Sequence, residues 1–140
     1  KPGGGFLDPA YPYAMPHPGE DWVYKYGDSM GKSIHSPFRG IVEYASFYKS
    51  AWGQVVKIIH WKDNKPYWTV LAHLQTMNVV QGQFVDTDSI IGTVGDANGK
   101  YVSHLHWEVR PEDFMIEYQY SNPNDVRQHY LEPSVFTDSN

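Results

Sequence analysis

The chain has no cysteine, which rules out disulfide frameworks and every thiolate metal site. Any metal it binds must be held by His, Asp or Glu. It has no basic excess either: the net charge is −5, and acidic and basic residues are mixed along its 140 residues. That composition lacks the electrostatic footprint of a nucleic-acid binder. No apolar run approaches the roughly 20 residues of a membrane span. The opening Lys1-Pro2-Gly3-Gly4-Gly5 has no apolar stretch of the signal-peptide kind, a silence that leaves location open. A long 3.6-residue periodicity is missing too, which argues against a helical domain.

What the chain has in quantity is aromatic rings, 16% of its residues with eleven Tyr and five Trp. They suit a β-rich core. The length suits one compact domain. The expected fold is mainly β, an antiparallel sheet. Residues 1–16, rich in Gly, Pro and Tyr, read as an irregular arm over the surface. Residues 17–110 read as the core. Within it the clearest strand segments are Ile41 to Ala45, Gln54 to Trp61, Tyr67 to Leu74 with its end at His73, two short pieces around Asp86–Asp88, and Ser103 to Arg110. Lys62 to Pro66 reads as a hairpin turn. Residues 111–140 read as a wrapping tail of the same domain with a short helical turn. Gly31 to Tyr44 and Gly82 to Val94 share a layout that suggests a worn internal repeat.

Two short segments carry the chemistry. His17-Pro18-Gly19-Glu20-Asp21 reads H-x-G-x-D, and His104-Leu105-His106 reads H-x-H, with His73 between them. A glycine in the first lets the chain bend, so that His17 and Asp21 can meet without a helix. Side chains alternate along a strand, so His104 and His106 share one face, expected to be solvent-facing, while Leu105 and Trp107 point to the core. A catalytic zinc site needs three protein ligands and one open position. Two histidines and a carboxylate supply them, and two more histidines remain to handle protons. The residues alone do not say which of His104 and His106 would bind the metal. His35, His60 and His129 sit in no motif and read as structural. Glu20 is a substitute ligand that the spacing disfavours. Glu108 could orient a ligand histidine, but a surface salt bridge with Arg39 or Arg110 is the preferred reading.

H-x-G-x-D, Ala72-His73-Leu74, Gly92-Thr93-Val94-Gly95-Asp96 and His104-Leu105-His106-Trp107-Glu108-Val109-Arg110, in that order, resemble the lysostaphin/LytM-type zinc endopeptidases. The resemblance implies a lysostaphin/LytM-like sheet with a duplicated hybrid motif and an open groove. It implies one zinc ion on His17, Asp21 and His106, with His73 and His104 as the unligated catalytic pair. Tyr11 or Tyr13 would stabilise the oxyanion, Tyr11 having the better spacing. Trp52 and Tyr48 would touch substrate. The implied function is zinc-dependent hydrolysis, by a metal-activated water, of peptide bonds in peptidoglycan stem peptides or cross-bridges. The protein would work as a monomer, outside the cytoplasm of a bacterium. Two other readings remain: a non-catalytic wall-binding or hydrolase-activating module of the same fold, and a carrier domain with paired histidines, which would need no Asp21.

Overall fold

The computed structural model describes residues 4–11, 16–114, 116–117 and 122–138. Eight strands form one antiparallel system. They are β1 (Glu20–Trp22), β2 (Ser33–His35), β3 (Gly40–Phe47), β4 (Gln54–Lys62), β5 (Lys65–Met77), β6 (Phe84–Val85), β7 (Ile90–Val94) and β8 (Leu105–Arg110), followed by helices α1 (Pro123–His129) and α2 (Pro133–Asp138). The main path runs β1-β8-β5-β4-β3-β6, while β7 pairs with both β2 and β5. This is the expected mainly antiparallel β fold.

The β4–β5 hairpin is its spine. Asp63 and Asn64 both take left-handed backbone, φ +53° and +64°, as a two-residue hairpin turn with the strands' twist requires. Consecutive residues of β4 and β5 are buried on both faces of the sheet. Val56, Ile58, Leu71 and Leu74 join Ile34, Val42, Ile91, Val94, Trp107 and Val109 in one core, and Val55, Val70 and Ala72 join Ile116 in the other.

β5 runs past its expected end to Met77, and His73 marks an irregularity within it rather than its terminus. Up to Ala72 its edge pairs with β8, and from Leu74 with β7. Between the pairs Val56↔Leu71 and Gln54↔Leu74, β5 advances one residue more than β4, which is a β-bulge. His73 sits in it with φ +68°. Left-handed backbone costs a non-glycine residue about 1–2 kcal/mol. Here two hydrogen bonds from His73 to the Trp52 carbonyl, from its backbone N–H at 3.0 Å and its Nδ1 at 3.1 Å, offset that cost.

The worn repeat has a structural counterpart. β2 pairs with β7 and β3 with β6, so the two halves clasp each other. Gly31 and Gly82 both adopt left-handed backbone, φ +78° and +90°, and each is followed three residues on by a buried apolar residue, Ile34 and Val85.

The tail is more ordered than a single helical turn. Asn122 caps α1 by accepting the N–H of Asp125 at 2.9 Å, and Pro123 takes the first turn, where a missing N–H costs nothing. Leu131 bridges to Val109. In α2, the Phe136 ring packs at 4.8 Å from Tyr67 and 5.4 Å from Phe38. These two rings also flank His60, whose Nε2 lies 3.1 Å from Thr69 Oγ1.

That setting makes His60 a pH-dependent stabiliser. Burial lowers its pKa from 6.5 to about 4. The unfolded chain therefore binds this proton first, so the stabilisation is complete above pH 6.5 and is lost as pH falls toward 4. The contribution amounts to roughly 3 kcal/mol. In urea titrations, wild type should exceed His60→Gln in stability at pH 7, and the gap should close by pH 4. A gap independent of pH would contradict this.

Candidate active site

The first motif and β8 are placed opposite each other by strand pairing. β1 lies along β8 with Asp21 directly across from His106. Cross-strand partners bring their Cβ atoms to about 5 Å, close enough for the side chains to meet. Gly19 permits this approach: a Cβ there would lie 2.3 Å from the Trp107 carbonyl oxygen and 3.0 Å from Glu108 Cγ. The motif's glycine is thus required by contact with β8; its backbone is not left-handed.

Three donor atoms converge. Asp21 Oδ1 lies 2.9 Å from His106 Nδ1 and 3.2 Å from His17 Nε2, and the two nitrogens are 3.4 Å apart. A tetrahedral zinc with bonds of about 2.0–2.1 Å spaces its ligand atoms about 3.3 Å apart. This triangle fits that spacing, and the three residues form the group among the described residues able to hold a metal ion.

The chemistry of the donors points the same way. His17 Nδ1 meets the Gly5 carbonyl at 2.7 Å. A carbonyl only accepts, so Nδ1 carries the proton and Nε2 presents a lone pair. His106 Nε2 meets the Glu108 carboxylate at 2.8 Å, so in the neutral imidazole Nδ1 is the lone-pair atom. Two nitrogen lone pairs and a carboxylate oxygen then face one another with no hydrogen between them. Such an arrangement needs a cation. Without a metal, a proton on His106 plays that part. Burial opposes the charge, but Asp21 and Glu108 outweigh it and raise His106 well above the usual imidazole range. Asp21 is held far below the usual carboxylate range: burial works to raise it, and the hydrogen bond and charge of His106, with the His17 ring beside it, prevail.

The two remaining histidines flank this triangle. The ring of His73 lies 4.8 Å from that of His104 and 5.8 Å from that of His106. His104 lies just before β8 begins, and its Nε2 is 3.6 Å from Asp21 Oδ1. Both rings are fixed by backbone carbonyls at Nδ1, His73 by Trp52 and His104 by Val102 at 2.7 Å. Each therefore carries its proton on Nδ1 and presents Nε2 as the basic atom. Burial, aided by the neighbouring His106 and His104, lowers His73 to about 3, so it is neutral at pH 7.

The face carrying H-x-H is not solvent-facing as expected. His104 and His106 are both buried, with 9% and 7% exposure. Ala72 and Val70 pair with His106 and Glu108, placing them on the sheet's second covered face. Ile116 and the partly buried Tyr48 and Trp52 close over it. Glu108 is likewise no surface ion pair. It is fully buried, with Oε2 on His106 and Oε1 at 2.6 Å from Arg110 Nη2. Burial works against the Glu108 anion, and the Arg110 charge, with His106, keeps its pKa below the ordinary range. Arg110 in turn donates to the Ile116 carbonyl at 2.5 Å and packs over the Phe114 ring. Arg39 takes no part in this pair.

Glu20 turns elsewhere, accepting from Ser134 Oγ at 2.6 Å and Trp22 Nε1 at 3.1 Å. Tyr11 stacks on His17 with ring centroids 4.3 Å apart; Tyr13 lies outside the described residues. The Trp52 indole stands edge-on to His106 at 5.9 Å. Tyr48 packs against Trp52 at 6.2 Å, one ring removed from the histidines. Tyr101, which no motif singled out, packs 5.0 Å from His73 and 5.9 Å from His104. Only its place in the loop before H-x-H hinted at this.

With this geometry in hand, comparison places the protein in a class. The sequence profile of peptidase family M23 matches residues 15–123, and the chain belongs to that family. Among solved structures it is similar to the catalytic domain of the antimicrobial peptidase lysostaphin from Staphylococcus simulans, with TM-score 0.72 and 20% identity over 96% of this chain and 89% of that one. It is similar to LytU, with TM-score 0.67 and 22% identity over 97% and 81%. It also resembles a zinc-containing peptidase from Vibrio cholerae, with TM-score 0.52 and 28% identity over 67% of this chain and 26% of that one. No curated protein sequence matches the chain.

Two tests follow from the packing and charges. Gly19→Ala should force β1 away from β8, lowering stability by about 1–3 kcal/mol and weakening metal binding in the same variant; thermal unfolding and chelator competition read the two effects. Uptake of a divalent metal ion by this triangle should displace the His106 proton, so affinity should weaken about tenfold per pH unit as pH falls through the neutral range. Calorimetry in buffers of different ionisation enthalpy counts that proton, and uptake without proton release would refute the protonated His106.

Proposed function

We propose that the protein is a zinc-dependent endopeptidase that hydrolyses peptide bonds in peptidoglycan, in stem peptides or cross-bridges. The observation that carries this is the convergence of His17 Nε2, Asp21 Oδ1 and His106 Nδ1 within 3.4 Å of one another, beside two further histidines whose basic atoms remain. Family membership supports the peptidase class. The similarity to lysostaphin, an antimicrobial peptidase, supports a wall substrate and action outside the cytoplasm.

In this reading His17, Asp21 and His106 hold one zinc ion. Zinc held there supplies a Lewis acid and brings the pKa of a water molecule to about 7. The chain supplies proton handling and orientation. His73, neutral and anchored at Nδ1, accepts a proton at Nε2 as general base. His104, anchored the same way with its ring 4.8 Å from that of His73, holds or returns a proton. The Tyr11 phenol donates a hydrogen bond to the developing oxyanion. Trp52, backed by Tyr48, lines the groove along which the peptide lies. Residues 17–110 form the catalytic core, and the protein acts as a monomer. A non-catalytic module of the same fold would have no use for a complete set of five groups.

Alanine variants separate the roles. His17→Ala, Asp21→Ala and His106→Ala should lose zinc and turnover together. His73→Ala and His104→Ala should retain one zinc per chain while turnover falls by about 10²–10⁴. Metal analysis and mass spectrometry of fragments released from purified peptidoglycan, against a chelated control, provide the readouts. Metal loss from His104→Ala equal to that from His106→Ala would overturn the assignment.

A further inference from the structure

We infer that the N-terminal arm belongs to the metal centre: the main chain of Gly4, Gly5 and Leu7 holds the two ligands of the first motif and sets how tightly the metal is bound. The inference rests on the proposed ligand set and extends it to a segment that contributes no ligand.

Pairing of β1 with β8 places Asp21, but His17 lies before β1 and takes no part in that pairing. The arm supplies what the motif lacks. The Gly4 carbonyl accepts the Asp21 N–H at 2.7 Å, and the Leu7 N–H donates to the His17 carbonyl at 3.0 Å. Between them the Gly5 carbonyl accepts from His17 Nδ1 at 2.7 Å. Three bonds from three arm residues thus hold the backbone of both ligands and the ring of one. His17 is fully buried and Gly4 is buried with it, while Gly5 and Leu7 are half-buried. Leu7 takes left-handed backbone, φ +54°, which only a defined set of partners would hold in place.

The chemical consequence lies in the His17 tautomer. With Nδ1–H directed at Gly5, Nε2 must present its lone pair to the cluster. Without that acceptor, the proton is free to sit on Nε2 and block the donor atom. Outer partners of ligand histidines typically change metal affinity by 10–100-fold. The acceptor on His17 is a backbone carbonyl, so the control lies in the arm's path and not in any side chain that a motif search would find.

The test begins with the unmodified chain. In the zinc-loaded protein with ¹⁵N-labelled histidine, His17 should show a slowly exchanging Nδ1–H and a metal-shifted Nε2. A proton on Nε2, or metal on Nδ1, overturns the inference. In the full chain, Leu7→Pro removes the N–H and forbids the left-handed backbone. It should weaken zinc binding by about 10–100-fold in chelator competition, with the metal-free far-UV spectrum unchanged. Leu7→Gly keeps the N–H and suits that backbone, and should restore affinity to within about threefold of wild type. Zinc binding by folded Leu7→Pro equal to wild type overturns the inference and leaves the ligand set standing. If Leu7→Pro does not fold, the histidine spectrum of the unmodified chain decides. A wild-type protein that binds no zinc overturns the ligand set and, with it, the role of the arm.

Discussion

Glu108 has no solvent contact, and its carboxylate joins His106 to Arg110. Much of the structure depends on that join. A buried carboxylate without a partner would be costly, and Arg110 meets the cost by placing two donors on one oxygen. Arg110 is buried too, so it draws its own partners inward: the Ile116 and Phe114 carbonyls and the rings of Phe114 and Tyr130. The tail is thereby fixed against the sheet. On the other side of the carboxylate, His106 is held in the orientation that turns Nδ1 toward Asp21. One buried ion pair thus closes the domain and aims His106 at Asp21.

The parts of the site legible in the sequence were those set by local spacing. H-x-H placed two imidazoles at neighbouring positions of β8, and H-x-G-x-D placed a histidine and a carboxylate around a glycine bend. The Asp63–Asn64 turn and its flanking strands could be read as well, because turn chemistry and β-branched runs act over a few residues. What could not be read were contacts set by distant segments. Burial of the H-x-H face depends on the loop around Trp52, far away in the sequence, and on Ile116, past the end of β8. For the same reason Glu108 looked like half of a surface ion pair. Alternation gave its face correctly but could not say what covers it.

The bulge at His73 shows a different limit. Its residues favour a continuous strand, and β5 does continue to Met77. The left-handed residue occurs where the strand changes neighbours from β8 to β7, a fact of sheet topology with no local signature. Glycine would have marked the spot in the sequence; histidine stands there instead, at the expense of local strain. An unfavourable backbone conformation maintained by surrounding bonds at a chemically equipped residue is a pattern common to functional sites.

The Trp52 carbonyl receives both the backbone N–H and Nδ1 of His73, while the indole of the same residue stands against His106. The loop at Trp52 and the imidazole of His73 are therefore one mechanical unit. Lengthening or exchanging the loop would also shift the imidazole that the loop holds. Under the proposed peptidase reading, substrate range and turnover would not evolve independently through that loop; a change in what fits beside Trp52 would require compensating change around His73.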